Sequence, residues 1–254
     1  VQVNTLRTTT EALIQRLEQE DVTATPHPWM PDCLVLGNTG SLEKLAAFRE
    51  GLFYVQDAAA KLSVLCAQLP KDADWNVLDC CSAPGGKTFA AAIAMGGRGE
   101  ITSCDVHEHK VSLIQNGAAR LGLTNPTAMQ QDASACVDAW VDSMEAVIAD
   151  VPCSGYGIIR KKPDIREKDP DTMKDLPALQ LSILRNQAKY VKKGGTLLYS
   201  TCTLVRRENE GVVEKFLKAE PDFYLEPLPL PEPFPVNDSG MLAVVPGEYD
   251  TDGF

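Results

Sequence analysis

Val77-Leu-Asp-Cys-Cys-Ser-Ala-Pro-Gly-Gly-Lys-Thr88 is the stretch from which the rest of this chain can be read. An apolar run at strand length breaks into a Pro-Gly-Gly turn, and helix formers follow from Lys87. A strand that turns through glycine into a helix opens an α/β unit, and it presents the turn and the helix N-terminus to a ligand. Two phosphate-binding patterns fail here. A P-loop needs glycine five residues before Gly86, where Cys81 stands, and G-x-G-x-x-G is absent from the turn. A turn that only joins strand to helix is the plain alternative. Asp105 shifts the balance. It ends the next apolar run, where a carboxylate can bind both hydroxyls of a ribose. A nucleoside cofactor without a phosphate requirement fits both features, and S-adenosylmethionine is one.

Working outward, short apolar runs alternate with helical patterns. Strands are predicted at Asn76–Cys80, Glu100–Cys104, Ala146–Ala149 and Thr196–Ser200. Helices are predicted at Lys87–Met95, Glu108–Leu121, Leu176–Val191 (stopped by Gly194-Gly195) and Glu208–Lys218. The alternation implies an α/β fold, a doubly wound Rossmann-like parallel sheet covered on both faces. Ligands bind such sheets at the carboxyl ends of the strands. The turn after Cys80, Asp105, Asp132, Asp150 and Cys202 all fall there, so they should converge on one cleft. Residues 1–66 read differently, as a small α+β subdomain. After a β-like start come a helix at Glu11–Gln19, β-prone Cys33–Leu36, a helix at Leu42–Phe48, and Phe53–Gln56. Residues 67–254 would be the catalytic domain. Within it, 221–235 is proline-rich, Met241–Val245 reads as a strand, and Gly253-Phe254 reads as the beginning of another.

The 254 residues can bury one large domain, or one large and one small, at an ordinary 44% hydrophobic and 23% charged composition. No apolar run approaches the ~18 residues of a membrane span, and nothing at the start reads as a signal peptide. Val1 at the start suggests an excised piece. The eight cysteines form no C-x-x-C pair and the three histidines no H-E-x-x-H, so a reduced, cytoplasmic, metal-free and monomeric protein is expected. A net charge of −11 argues against a nucleic-acid partner. Charge is local, however. Between 158 and 168 stand five basic residues, Arg160, Lys161, Lys162, Arg166 and Lys168, against two acidic ones. Placed directly after a candidate site, Arg160, Lys161 and Lys162 are expected to bind RNA; solvated surface charge is the bland reading.

Two cysteines stand in distinctive contexts, Asp150-Val-Pro-Cys153-Ser-Gly155 and Ser200-Thr-Cys202-Thr203, each after an apolar run. A thiolate is the strongest nucleophile among ordinary side chains. An activated cysteine, an acid beside a second cysteine and a cofactor turn together suggest covalent catalysis on a poor nucleophile such as pyrimidine carbon 5. Against this, any one of these thiols could be a small buried hydrophobe, and Asp132 a solvated turn aspartate.

With these residues the chain resembles the RNA 5-methylcytosine methyltransferases of the Sun/RsmB (Fmu) family, over almost its whole length. Gly51-Leu-Phe-Tyr-Val-Gln-Asp57, the Cys81–Thr88 loop, Asp105, Asp132, Asp150–Gly155 and Ser200–Thr203 carry the resemblance. Ser82 replaces the family's usual Ala, and the family's N-terminal NusB-like helical domain is not in this sequence. The resemblance implies S-adenosylmethionine as cofactor, lined by Cys81, Ser82, Ala83, Pro84, Gly85, Gly86 and Lys87. It implies Asp105 at the ribose and Asp132 beside the adenine. Cys202 would be the nucleophile, Cys153 would assist product release, and a protonated Asp150 would face the cytosine and adjoin the cofactor. Small-subunit (16S) ribosomal RNA is the implied substrate, with tRNA as the alternative. Two other readings remain: a DNA cytosine methyltransferase, in which Cys153 and Cys202 exchange roles, and a non-catalytic RNA-binding or ribosome-assembly factor on the same fold.

Overall fold

A computed structural model describes the backbone of residues 1–254. The N-terminal unit begins with β1 (Gln2–Val3), α1 (Thr10–Glu18), β2 (Thr23–Pro26) and β3 (Leu34–Gly37). It continues with α2 (Ala46–Arg49), β4 (Phe53–Tyr54) and α3 (Ala58–Cys66). The Thr9 side chain caps α1 by accepting from the Ala12 N–H. Leu13 and Leu17, one turn apart, point from α1 into a core with Val3, Val22, Leu34 and Phe53. β1 pairs with β4 and β2 with β3, both antiparallel.

The larger unit contains β5 (Asn76–Asp79), α4 (Gly86–Ala94), β6 (Glu100–Asp105), α5 (Glu108–Leu121) and β7 (Pro126–Gln130). It ends with β8 (Met144–Asp150), α6 (Leu176–Ala188), β9 (Val191–Ser200) and α7 (Glu210–Ala219). The five strands form one parallel sheet in the order β7-β6-β5-β8-β9. Alternate side chains of each strand leave on opposite faces, and both faces are buried. Val77, Ile101, Ala146 and Ile148 join α4 and α5 in one cluster. Leu78, Val147 and Ala149 join Ile183 and Leu184 of α6 and Val212 and Phe216 of α7 in the other. The chain runs outward from β5 through β6 to β7, then returns to β8 on the other side. That reversal opens a crevice at the strand ends beside β5.

The two units are joined by hydrogen bonds from side chains to backbone carbonyls as well as by apolar contact. Buried Asn4 donates through Nδ2 to the carbonyls of Gly51 and Leu121, both at 2.9 Å. Arg120 of α5 donates to the Phe48 and Phe53 carbonyls at 2.6 and 3.0 Å. Gly51 (φ 71°) lies where a Cβ would stand 2.0 Å from the Arg120 carbonyl oxygen, so the junction needs glycine.

Several expectations are corrected. The helix expected at Leu42–Phe48 is broken into a 3-10 turn (Leu42–Lys44) and the short α2, because Leu45 between them is extended. The Leu176–Val191 helix ends at Ala188, and Gly194-Gly195 lie inside β9. There they mark a register shift: Val191 faces Met144, but Thr196 faces Ala146. Met241–Val245 is not a strand; only Val244 exchanges a pair of backbone bonds, with Phe254. Helix α3 and strands β2 and β7 were not foreseen. Edge strand β7 (Pro-Thr-Ala-Met-Gln) is short and largely exposed, so it lacks an apolar run.

Candidate functional site

The Ser82–Gly85 turn is built on β5 and leads into α4. Ser82 donates to the Cys104 carbonyl from both its N–H (2.7 Å) and its hydroxyl (2.9 Å), tying the turn to the end of β6. Gly85 (φ 112°) caps α4 in the left-handed region, and a Cβ there would meet the Phe89 ring at 2.4 Å. From the first turn of α4, Lys87 reaches across to β8, where its Nζ lies 2.7 Å from Asp150 Oδ2. Ser200, at the end of β9, donates to Asp150 Oδ1 at 2.8 Å. The Lys87 ammonium also stands 4.5 Å from the centre of the Phe254 ring. Asp150 is thus held by Lys87 and Ser200 at once.

Beside that pair the two cysteine loops meet, Cys153 Sγ lying 3.3 Å from Cys202 Sγ. The contact with the Cys153 thiol lowers the pKa of Cys202, against burial and the Asp150 charge, and Lys87 lowers it further. The same contact, with burial, pushes Cys153 up. The two sulfurs are therefore linked, and only one of them can ionise readily. Cys104 is different: burial pushes it up to about 12, as suits a packing thiol. Asp105 is buried at the end of β6, and its Oδ1 accepts from the His107 N–H at 2.9 Å. Asp132 is exposed, and its Oδ1 accepts from the N–H and hydroxyl of Ser134 at 2.8 and 2.7 Å, which hold its carboxyl below the usual value. Cysteines, ion pair, glycine turn and Asp105 therefore share the carboxyl edge of one sheet.

Residues 66–254 match the family described as 16S rRNA methyltransferase RsmB/F. The chain belongs to that family. Residues 1–43 match the ferredoxin-like domain of RsmF/B-like methyltransferases. A Bacillus subtilis relative named "Probable ribosomal RNA small subunit methyltransferase B" is 38% identical over the whole chain and 58% of its own length. An Escherichia coli ribosomal RNA small subunit methyltransferase F is 33% identical over the whole chain and 55% of its own length. The chain thus spans somewhat more than half of these relatives. A crystal structure of a methyltransferase homologue from Pyrococcus horikoshii is 28% identical, with a TM-score of 0.79 over 99% of this chain and 82% of that one. The fold is accordingly that of the S-adenosylmethionine-dependent methyltransferases, and this cofactor is the one RsmB/F enzymes use.

Three features of this RsmB/F site were not read from the sequence. Asp79, wholly buried at the end of β5, accepts from the Thr88 hydroxyl at 2.7 Å, and burial pushes its carboxyl up to about 7. Thr88 also bonds Ser103 at 2.9 Å, so this network underlies the glycine turn. Buried Glu208 and neighbouring Asn209 bond to the cysteine loops. The basic loop is partly neutralised from afar: Arg160 lies 3.3 Å from Asp252, and Lys161 lies 2.5 Å from Asp252 and 3.3 Å from Asp57. Lys162 is exposed. Only the Gly51–Asp57 element hinted at these partners, and it carries no signal for ion pairing. Among the described residues no group of three metal-ligating side chains occurs, and no helix is long and apolar enough to cross a membrane.

Proposed function

We propose that this chain transfers a methyl group from S-adenosylmethionine to carbon 5 of a cytosine in small-subunit ribosomal RNA, through a covalent bond from Cys202 to carbon 6. The 3.3 Å approach of two thiols from separate loops, beside the Lys87–Asp150 pair, carries the reading. Cytosine carbon 5 is too electron-poor to attack a sulfonium methyl unaided. When the Cys202 thiolate adds to carbon 6, the electron pair of the ring double bond moves toward carbon 5 and splits one hard step into two easier ones. The Lys87–Asp150 pair supplies a proton-bearing group for charge that develops on the ring. Carbon 5 then takes the methyl, its proton passes to a base that Cys153 provides or positions, and the sulfur–carbon bond breaks to restore the double bond. The site must receive an unstacked base, which RNA loops present readily.

The residues fit the cofactor. Asp105 bonds only through Oδ1 among the described residues, which leaves Oδ2 for a ribose hydroxyl. The turn from Cys81 to Lys87 lies between that carboxylate and the cysteines, and Asp132 stands beyond it for the adenine edge. The bound cofactor supplies an electrophilic methyl. Residues 1–66 serve as the RNA-facing unit and 67–254 as the catalytic domain of a cytoplasmic monomer. Lys162, Arg166 and Lys168, exposed and in no ion pair among the described residues, are the members of the basic loop most available to phosphate, while Arg160 faces Asp252. Incubating the chain with methyl-labelled S-adenosylmethionine and small-subunit ribosomal RNA, tRNA or DNA tests the reading. Label should appear as 5-methylcytosine in ribosomal RNA; label in tRNA or DNA alone, or in none, overturns it.

A further inference from the structure

Apart from the contact between their sulfurs, each cysteine is held through the residues on both sides of it. Before Cys153, the Pro152 carbonyl accepts from Gln180 Nε2 at 2.9 Å. After it, the Ser154 N–H donates to Glu208 Oε2 at 2.9 Å, and the same oxygen accepts from Gln180 at 3.1 Å. Around Cys202, the Thr201 hydroxyl donates to Asn209 Oδ1 at 2.6 Å, and Asn209 Nδ2 donates to the Thr203 carbonyl at 2.8 Å. A Ser154–Thr203 hydroxyl contact at 2.8 Å links the two loops directly. Glu208 and Gln180 are fully buried. Glu208 forms no ion pair among the described residues, and its Oε1 is without a partner there. A buried carboxylate so placed is an expensive way to stabilise a fold, and its geometry is explained by what it holds.

We infer that Glu208 and Asn209 are positioning residues for the thiol pair: one consecutive dipeptide, with Gln180 bridging Glu208 to Pro152, holds the residues flanking both cysteines and so sets their separation and alignment. The inference rests on the two-cysteine reading above, since it matters for turnover only if both thiols act in sequence. Displacing a reacting group by about 1 Å costs on the order of 100-fold in rate. Asn209→Ala and Glu208→Ala should therefore lower single-turnover methyl transfer about 10- to 100-fold, while cofactor affinity stays within about twofold. Glu208→Gln, which keeps an acceptor for Ser154, should recover most of the rate.

A second readout requires neither RNA nor cofactor. Diamide oxidises two adjacent thiols to a disulfide, taking up their two electrons and two protons to become the hydrazine. Peptide mapping gives the rate at which Cys153 and Cys202 become joined. That rate should fall at least about tenfold in both alanine variants, in proportion to lost alignment. Folded alanine variants that join the cysteines at the wild-type rate overturn the inference. If they do not fold, Glu208→Gln and Asn209→Asp make the comparison. Asn209→Asp removes the Thr203 bond alone and should still slow joining, so wild-type rates in both variants overturn the inference equally. A wild-type chain that methylates nothing, with the joining pattern as expected, removes the proposed reaction and leaves the positioning intact.

Discussion

The two sides of the cleft are built differently. On the cysteine side, loops from β8 and β9 are cross-braced: Gly157 N–H donates to the Cys202 carbonyl at 2.9 Å, and Ser154 bonds Thr203. On the side proposed for the cofactor, Asp105 and Asp132 each accept from a residue two positions along their own loop, His107 and Ser134. A ligand spanning the cofactor loops supplies its own alignment. Groups that must act in sequence on one ring have no such template, so the protein aligns them in advance.

The sharpest way to break this contrast is on the cysteine side. Cys202→Ala should reduce methyl transfer by on the order of 10⁴-fold or more and abolish any covalent RNA adduct, because carbon 5 then stays unreactive. Cys153→Ala should permit addition but slow elimination, so a protein–RNA adduct accumulates as a shifted band on a denaturing gel. An adduct in Cys202→Ala and none in Cys153→Ala would reverse the roles and favour the DNA-type scheme.

The cofactor side should respond in affinity rather than alignment. Asp105→Ala should weaken S-adenosylmethionine binding by about 2 kcal/mol, roughly 30-fold, since it leaves ribose hydroxyls without an acceptor. Calorimetry on the folded variant with unchanged affinity would remove Asp105 from the site.

Smaller effects are expected outside both sides. Replacing Lys162 and Arg166 together by Ala should lower the salt slope of RNA binding by about 1.4, at about 0.7 per phosphate contact on a single strand. Arg160→Ala and Lys161→Ala should change it less, because those charges already face Asp252 and Asp57. Equal slopes for all variants would make the loop ordinary surface charge.

Away from the chemistry, the remaining effect is on stability. Asp79 has its folded pKa raised to about 7 by burial, so its contribution is complete below the unfolded pKa of about 4. It is lost as pH rises through about 7. Asp79→Asn should remove that component, so the stability difference between pH 5 and pH 8 should shift in the variant. Denaturant unfolding at the two pH values measures it, and identical differences would show that Asp79 does not titrate there.

Much of the fold was legible because it is written in short-range pattern. Val77-Leu78 and Ala146-Val147-Ile148-Ala149 are continuous apolar runs because both faces of a parallel sheet are covered. Gly85 marks a left-handed turn that a side chain would block. What was misread has equally local causes. Gly194-Gly195 look like a helix stop, but a bulge within a strand uses glycine for the same backbone freedom. Met241–Val245 has strand composition but meets Phe254 at only one residue.

The amino-acid sequence by itself determined the parallel sheet, the glycine turn after β5 and the residue types at the strand ends, because periodicity and turn chemistry act between near neighbours. Only the tertiary structure decided which of those residues meet. Cys153 and Cys202 lie 49 positions apart and Lys87 and Asp150 stand on different elements, yet strand order brings them together. Lys161 finds Asp57 across 104 positions, turning part of a basic loop into an internal ion pair. Glu208 looks like one more acidic residue beside Arg206-Arg207 until α7 docks and buries it under Ser154. Burial and partnership are properties of packing, and no local pattern encodes them.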